Sequence, residues 1–217
     1  QLTSIIWSSY LGGSSDDAIY SLALDIDDNI YVTGGTNSAN FPTTSGAYLT
    51  AYQDSVKADA FITLINLSGS HILSSSYYGT DEYDQSYFVE VGSTNDVYLF
   101  GQTTTGGTNL VLNATFYESG ASQFITVFNE DLSNVLRSTV VGTGKGTPDI
   151  SPTAFLVDVC DQIYISGWGS NLGGPLSTLN LSVSTSPNLP AFQSSTDGND
   201  FYLMVIDDAM SSMMYAT

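Results

Sequence analysis

Short apolar runs separated by polar turns fill the chain, and one of these runs occurs three times. Residues 29–34 read NIYVTG, and the matching runs at 96–101 and 162–167 read DVYLFG and QIYISG. Each run contains a tyrosine followed three residues later by glycine, and the tyrosines are 67 and 66 residues apart. The repeated positions are Tyr31, Tyr98 and Tyr164 with Gly34, Gly101 and Gly167. A fixed period of this kind indicates a repeat architecture.

The runs predict strands rather than helices. They are rich in Val, Ile, Tyr, Phe and Thr, which favour strands, and no apolar stripe with a 3.6-residue period is sustained. Each repeat holds four such runs, one of which carries the repeated aromatic residue Phe61, Phe124 or Phe201. Tandem units of four short strands are typical of propeller blades. We therefore predict an all-β fold, a β-propeller with four-stranded antiparallel blades, of which about three are present.

Residues 4–70 resemble the bacterial seven-bladed β-propeller repeat (SBBP). The likeness is carried by WSSYLGG at 7–13, NIYVTG at 29–34, NFPTT at 40–44 and DAF at 59–61. The third unit, VDVCDQIYISGWG at 157–169, resembles repeats in large surface proteins of Bacteroidota. Such proteins are often exported by the type IX secretion system. The resemblance implies an extracellular or cell-surface location.

The period predicts how the chain is divided. We expect residues 1–13 to be the outer strand of a preceding blade, 14–79 and 80–142 to be blades, and 143–217 to be a blade with an incomplete outer strand. Closed propellers have four to eight blades. We therefore expect a segment of a larger propeller, or several copies that close a ring. The expected partners are the remaining blades of the same chain or identical subunits.

Charge excludes some partners. The net charge is −19, and the only cationic side chains besides the single histidine are Lys57, Arg137 and Lys145. Nucleic-acid binding needs many phosphate-neutralising cations, so we expect none. There is also no apolar stretch of about 18 residues, so no membrane span is expected. Cys160 is the only cysteine and follows an apolar run, which predicts a buried structural thiol.

Acidic loop residues are predicted to converge on one face. In a blade, the loop that enters the first strand and the loop between the second and third strands lie at the same end. That face would hold three long insertions, at 37–57, 103–121 and 170–199. It would also hold Asp16, Asp17, Asp81, Glu82, Asp84 and Asp149. We expect these loops to splay into water, and the alternative is a carboxylate cluster that binds a cation such as calcium.

A second candidate for calcium is the turn with Asp25, Asp27 and Asn29. These oxygen-bearing side chains alternate, as in calcium loops, although the glycine and distal glutamate of an EF-hand are absent. Asp and Asn are equally favoured in ordinary tight turns. We expect no required cofactor, and calcium is the one that the pattern suggests.

Two further patterns concern the insertions. Asp54, Ser55 and Val56 resemble the O-glycosylation site of exported Bacteroidota proteins, which makes Ser55 a candidate for modification. The insertions also carry many aromatic residues, which would either stack on a surface glycan or anchor the loops. They are Phe41, Tyr48, Tyr52, Phe116, Tyr117 and Phe192.

No catalytic constellation is evident in the sequence. His71 is the only histidine, and no Gly-x-Ser-x-Gly nucleophile motif occurs. We therefore expect a non-catalytic module of a large bacterial surface or secreted protein, acting as scaffold, adhesin or filament component, with a glycan or protein as ligand. The alternatives are a polysaccharide-active enzyme that uses carboxylates at the channel mouth, and a subunit of the secretion or gliding machinery.

Overall fold

Three four-stranded sheets form the protein in the computed structural model, which describes residues 3–53, 57–170 and 175–217. Sheet 1 consists of β1 (Asp17–Leu24), β2 (Ile30–Thr36), β3 (Asp59–Ile65) and β4 (Ile72–Tyr78). Sheet 2 consists of β5 (Asp84–Val91), β6 (Val97–Thr103), β7 (Gln123–Phe128) and β8 (Val135–Val141). Sheet 3 consists of β9 (Ser151–Val157), β10 (Ile163–Trp168), β13 (Phe201–Ile206) and β14 (Met213–Ala216). The third insertion adds a short hairpin of β11 (Thr185–Ser186) and β12 (Leu189–Pro190).

Each large sheet is an antiparallel meander in which strands pair in chain order. This is the topology of a propeller blade, and the prediction of an all-β fold with four-stranded antiparallel units is confirmed. A 3₁₀ turn (Gly107–Leu110) is the only helix in the described ranges, and none there is long and apolar enough to cross a membrane. Sheet 2 packs between sheets 1 and 3, and the described residues form no closed ring.

Sheet 2 is apolar on both faces because each face covers a neighbour. Leu99 packs on the side of sheet 1, in a cluster with Tyr31. Phe100, the next residue along β6, packs on the side of sheet 3 with Ile165 and Met204. Successive strand residues point to opposite faces. A strand buried on both faces therefore reads as a continuous apolar run, which explains the pattern of the repeats.

The repeated glycines allow close approach of the innermost strand. A Cβ added at Gly34 would lie 1.8 Å from the carbonyl oxygen of Ala18, and one added at Gly101 would lie 2.2 Å from that of Gln85. In both sheets the first strand is irregular just beyond this contact, between Ile19 and Ser21 in sheet 1. Glycine in a strand often marks such a bulge or close backbone contact.

The prediction of the repeated aromatic residue is correct in sheets 1 and 2 and wrong in sheet 3. Phe61 and Phe124 are fully buried, each opposite the repeated glycine of its sheet. In sheet 3 the residue opposite Gly167 is Tyr202, whose exposure is 4%. Phe201, which was predicted for this role, is 75% exposed. The prediction is displaced by one residue, because the sequence match followed the phenylalanine and strand pairing follows the glycine.

The sheets fall inside the predicted blade segments 14–79, 80–142 and 143–217. The last strand, β14, has four residues, whereas β4 and β8 have seven each. Residues 3–13 belong to no strand, and several of their apolar side chains are exposed. The assignment of residues 1–13 to the outer strand of a preceding blade therefore stays a prediction.

The prediction for Cys160 is wrong, because its thiol is exposed rather than buried. Strand β9 ends at Val157, and Cys160 lies in the tight turn that follows. There its N–H donates to the Asp158 carboxylate at 2.8 Å. A position in the turn removes the side chain from the apolar run that suggested burial.

We expect Gly34→Ala to destabilise the fold by about 2–3 kcal/mol, because the new Cβ must displace the backbone of β1. Urea unfolding followed by circular dichroism measures the change. Gly35→Ala is the matched control, because the atoms nearest to its Cβ belong to the flexible side chain of Gln85 and not to backbone. Equal losses for the two variants would contradict the requirement for close backbone approach.

Candidate functional site

The repeated tyrosine joins each sheet to the following sheet. Tyr31 of sheet 1 donates its phenol hydrogen to the carbonyl oxygen of Glu130 in sheet 2, at 2.7 Å. Tyr98 of sheet 2 donates to Oδ1 of Asp208 in sheet 3, also at 2.7 Å. Both residues are 1% exposed, and burial is the main cause that raises the pKa of each phenol. Each phenol therefore stays protonated and acts as a hydrogen-bond donor between sheets.

The acceptors lie in the turn between the third and fourth strands, which also carries a buried apolar residue. Leu132 (φ 59°) and Met210 (φ 52°) adopt the left-handed conformation, and both are fully buried against the preceding sheet. The insertion of that preceding sheet reaches the same turn. Tyr48 N–H donates to the Leu132 carbonyl, and Phe116 N–H donates to the Met210 carbonyl, both at 2.9 Å. These contacts and the apolar burial offset the cost of the left-handed backbone.

Arg137 reinforces the contact between sheets 2 and 3. Its Nε donates to the Asp208 carbonyl at 2.7 Å, and its Nη2 donates to the Tyr98 phenol oxygen at 2.8 Å. Nη2 also forms a charged hydrogen bond with the Asp208 carboxylate, and Nη1 lies 3.8 Å from a carboxylate oxygen of Asp96. The arginine side chain is only 16% exposed. The only arginine of the chain therefore connects two sheets.

Tyr164 is the third repeated tyrosine, and its surroundings differ from those of the other two. Its phenol donates to Oδ2 of Asp158 in its own sheet, at 3.1 Å. That hydrogen bond is the main cause that raises the pKa of the phenol. The ring lies on the side of sheet 3 that faces away from sheet 2, together with Leu156 and Leu203. These two side chains are 53% and 38% exposed.

A cavity of about 570 Å³ lies on the same side of sheet 3, between the sheet and the third insertion. Phe201, Leu203 and Thr217 line it from the sheet, and Leu179 and Phe192 line it from the insertion. Phe192 is 92% exposed. The largest exposed aromatic surface of the insertions is therefore continuous with the exposed side of sheet 3.

The predicted acidic loop face contains three carboxylates that fold inward. Asp17, Asp84 and Asp149 stand at or just before the first strand of each sheet. Each accepts a hydrogen bond from a loop N–H, at 2.7 Å from Gly13, 2.7 Å from Thr80 and 2.8 Å from Thr143. The Thr80 and Thr143 hydroxyl groups donate to the same carboxylates. These aspartates close the loop that enters each sheet.

The other acidic residues of this face do not come together as a metal site. Asp16 and Asp81 are exposed, and Glu82 forms an ion pair with Lys57. Asp149 also pairs with a cation, at 3.0 Å from Lys145 Nζ. Within residues 3–53, 57–170 and 175–217, no group of three or more His, Cys, Asp or Glu side chains is placed to hold a metal ion.

Burial perturbs the carboxyl group of Asp84. It is fully buried, and burial raises its pKa from 3.8 to about 6, although the hydrogen bonds from Thr80 oppose the shift. Its N–H donates to the carbonyl of Ala58, the residue just before β3 of sheet 1, at 2.7 Å. The residue therefore links the loop closure of sheet 2 to the neighbouring sheet.

The turn proposed for calcium is ordered by its own hydrogen bonds. Asp25 Oδ1 accepts from the N–H groups of Asp27 and Asn29, at 2.9 and 2.8 Å, and Oδ2 accepts from the Asn29 amide at 3.0 Å. Asp158 accepts in the same way in sheet 3. The three residues are thus close together in an Asx-type turn, and calcium binding there stays a prediction.

Most aromatic residues of the insertions anchor loops. Phe41 is buried with its ring 4.4 Å from that of Phe61, and the Tyr48 ring is 5.7 Å from that of Phe128 in sheet 2. Phe116 packs against the core between sheets 2 and 3.

Ser55 lies outside the described residues, so its glycosylation stays a prediction.

Two features of these interfaces do not follow from the sequence. There Arg137 is only one of three Lys and Arg residues, and the turns at 66–71, 129–134 and 207–212 give no sign of a contact between sheets. The turns share a signal, because a residue with positive φ recurs four positions after the end of each third strand, as Gly69, Leu132 and Met210. Leu and Met rarely adopt this conformation, so the residue type at this position conceals its positive φ.

Comparison with known families supports this architecture. Residues 6–42 match the family described as Beta-propeller repeat (SBBP). The match spans the loop before β1, both inner strands of sheet 1 and the start of the first insertion, including Tyr31 and Gly34. The resemblance inferred from these residues is confirmed. No curated protein matches the chain.

The pKa of Asp84 predicts that its contribution to stability depends on pH. Because the folded protein holds this proton more tightly than the unfolded chain does, acidification from pH 7 to pH 5 favours the folded state at this site. We expect wild type to gain about 1 kcal/mol relative to Asp84→Asn over this interval. Urea unfolding at both pH values measures the difference.

Asp16→Asn is the control, because it removes an exposed carboxylate from the equivalent loop of sheet 1. It should follow wild type at both pH values. If the difference between wild type and Asp84→Asn stays constant from pH 7 to pH 5, the raised pKa of Asp84 is refuted.

Proposed function

We propose that the chain is a non-catalytic module of a larger bacterial propeller protein outside the cell, where it serves as a scaffold that presents its insertions to a partner. The observation that carries this proposal is that the recurring polar side chains form hydrogen bonds within the protein. The repeated tyrosine, the loop-closing aspartate and the single arginine all bind other parts of the chain. These groups build a rigid support.

The carboxylates of the loop face support this proposal over an enzyme. Glycoside cleavage uses two carboxyl groups placed on either side of a scissile bond. Asp17, Asp84 and Asp149 instead accept loop N–H hydrogen bonds, and Glu82 pairs with Lys57. A carboxylate engaged in this way is held away from a substrate. The polysaccharide-active enzyme is therefore the weaker alternative.

The proposed location rests on charge and composition. With three Lys and Arg against 22 Asp and Glu, the chain repels anionic surfaces and stays soluble in salt. This balance and the likeness of residues 157–169 to Bacteroidota surface proteins support a secreted or surface-exposed parent, exported by the type IX route. A glycan or a protein is the proposed partner of the insertions, and Phe192 is the exposed aromatic residue best placed to meet it.

Activity assays and surface labelling test this function together. The purified chain is incubated with neutral and acidic polysaccharides, and new reducing ends and unsaturated uronates are measured. We expect no product above that of the heat-denatured chain. Antibodies against the chain should label intact cells or detect the parent protein in the culture medium.

Turnover that disappears in Asp81→Asn or Glu82→Gln, with the melting temperature unchanged, would establish the enzyme instead. Labelling that requires cell lysis would refute the external location. Calcium is tested in the same preparations, since a metal that binds only the folded state raises the melting temperature with the logarithm of its concentration once that exceeds the dissociation constant.

A further inference from the structure

The exposed side of sheet 3 carries large apolar side chains, as a buried interface does. Leu156, Leu203 and Phe201 are 53%, 38% and 75% exposed, and Tyr164 lies among them. We define the forward face of a sheet as the side that carries its repeated tyrosine. Contiguous apolar surface of this kind on a soluble protein marks an interaction site.

Strand register identifies what covers the forward face in the other sheets. Ile62, Ile125 and Leu203 occupy equivalent positions, each one residue after the residue opposite the repeated glycine. Ile62 is fully buried between sheets 1 and 2, and Ile125 is fully buried between sheets 2 and 3. In both cases the cover is the following sheet. Leu203 occupies the equivalent position in sheet 3, whose forward face has no sheet packed on it in the described residues.

The hydrogen bonds of the three repeated tyrosines show the same difference between sheet 3 and the other two sheets. Tyr31 and Tyr98 each donate to the turn between the third and fourth strands of the following sheet. Tyr164 stands at the same distance from its glycine and donates to its own turn at Asp158. Rotation of this phenol toward a following sheet would give it the acceptor that the first two tyrosines have.

The cavity beside sheet 3 belongs to the same interface. It is lined by Phe201, whose equivalents Ala60 and Gln123 pair with Tyr78 and Val141 near the end of the outer strand. Those two outer-strand residues are 2% and 3% exposed. The cavity therefore corresponds to space that the outer strand and the following sheet fill elsewhere.

We propose that the forward face of sheet 3 is the docking surface for a further propeller blade. The blade it fits has an apolar residue with left-handed backbone in the turn between its third and fourth strands, and an oxygen acceptor two residues earlier for Tyr164. Leu132 with Glu130, and Met210 with Asp208, supply this pair in the two interfaces present. The inference rests on the propeller architecture of the proposed function and names its contact residues.

A fusion to the full chain tests this surface. The probe is a second copy of residues 77–142, joined directly after Thr217. Thr217 pairs with Leu203 through two backbone hydrogen bonds of 3.0 Å, as Ser76 pairs with Ile62. A copy that begins at Tyr77 therefore continues the outer strand in register and supplies a complete second blade. Hydrogen exchange of sheet 3 peptides, which occur once in the fusion, is read by mass spectrometry.

We expect amide exchange around Tyr164 and Leu203 to slow by at least about tenfold in the fusion. Leu132→Asp in the added copy alone should remove this protection, and Tyr164→Phe should reduce it several-fold. An extension of residues 77–79 alone is the control for completion of the outer strand. It should protect β13 near Phe201 without protecting Tyr164.

Unchanged exchange in the fusion, or protection that survives Leu132→Asp, would overturn the inference. A second copy as the occupant would also overturn it. In that case the unfused chain would associate as its concentration rises, and Leu203→Asp would abolish the association. These outcomes are independent of the polysaccharide assay, which uses the unfused chain, so failure of the docking surface and failure of the non-catalytic function can be told apart.

Discussion

The need to cover both faces of each sheet organises this protein. An antiparallel sheet with one solvated face alternates apolar and polar residues, but sheet 2 is apolar on both sides because sheets 1 and 3 pack against it. The contact is fixed by a buried phenol that donates across the interface and by a turn residue, Leu132 or Met210, that inserts beside it. Area burial supplies most of the stabilisation, and the phenol sets the register, because a buried hydroxyl without an acceptor is costly.

The same constraint accounts for the acidic residues. A chain with 22 carboxylates and three Lys or Arg residues suggests a binding surface for cations. Three of the aspartates predicted for that surface instead close the loop that precedes each sheet, where Thr80 and Thr143 donate backbone and hydroxyl hydrogen bonds. Hydrogen bonds to loop N–H groups can satisfy a carboxylate without a metal. On this face, three of the predicted carboxylates therefore serve to close loops.

Periodicity revealed much of the fold, and individual contacts were harder to predict. The glycines were recognisable because a close backbone approach excludes a side chain, and Tyr31 and Tyr98 because both phenols make the same contact with the following sheet. Phe201 was misplaced by one position, since a phenylalanine and a tyrosine are interchangeable in sequence matching and only Tyr202 is opposite Gly167. Cys160 was misjudged because strand β9 ends before it. Arg137 could not be found, because its partner Asp208 is distant in sequence and only packing brings the two sheets together.

The architecture requires sheets 2 and 3 to be coupled through their interface, and a double-mutant cycle measures this coupling directly. Arg137→Met and Asp208→Ala remove the two partners separately and together, and urea unfolding gives the free energy of each variant. The side chain of Asp208 is 44% exposed and that of Arg137 is 16% exposed, so solvent weakens the pair. We still expect a coupling energy of about 1 kcal/mol across the interface. Strictly additive effects would show that the two sheets are not held against each other as described.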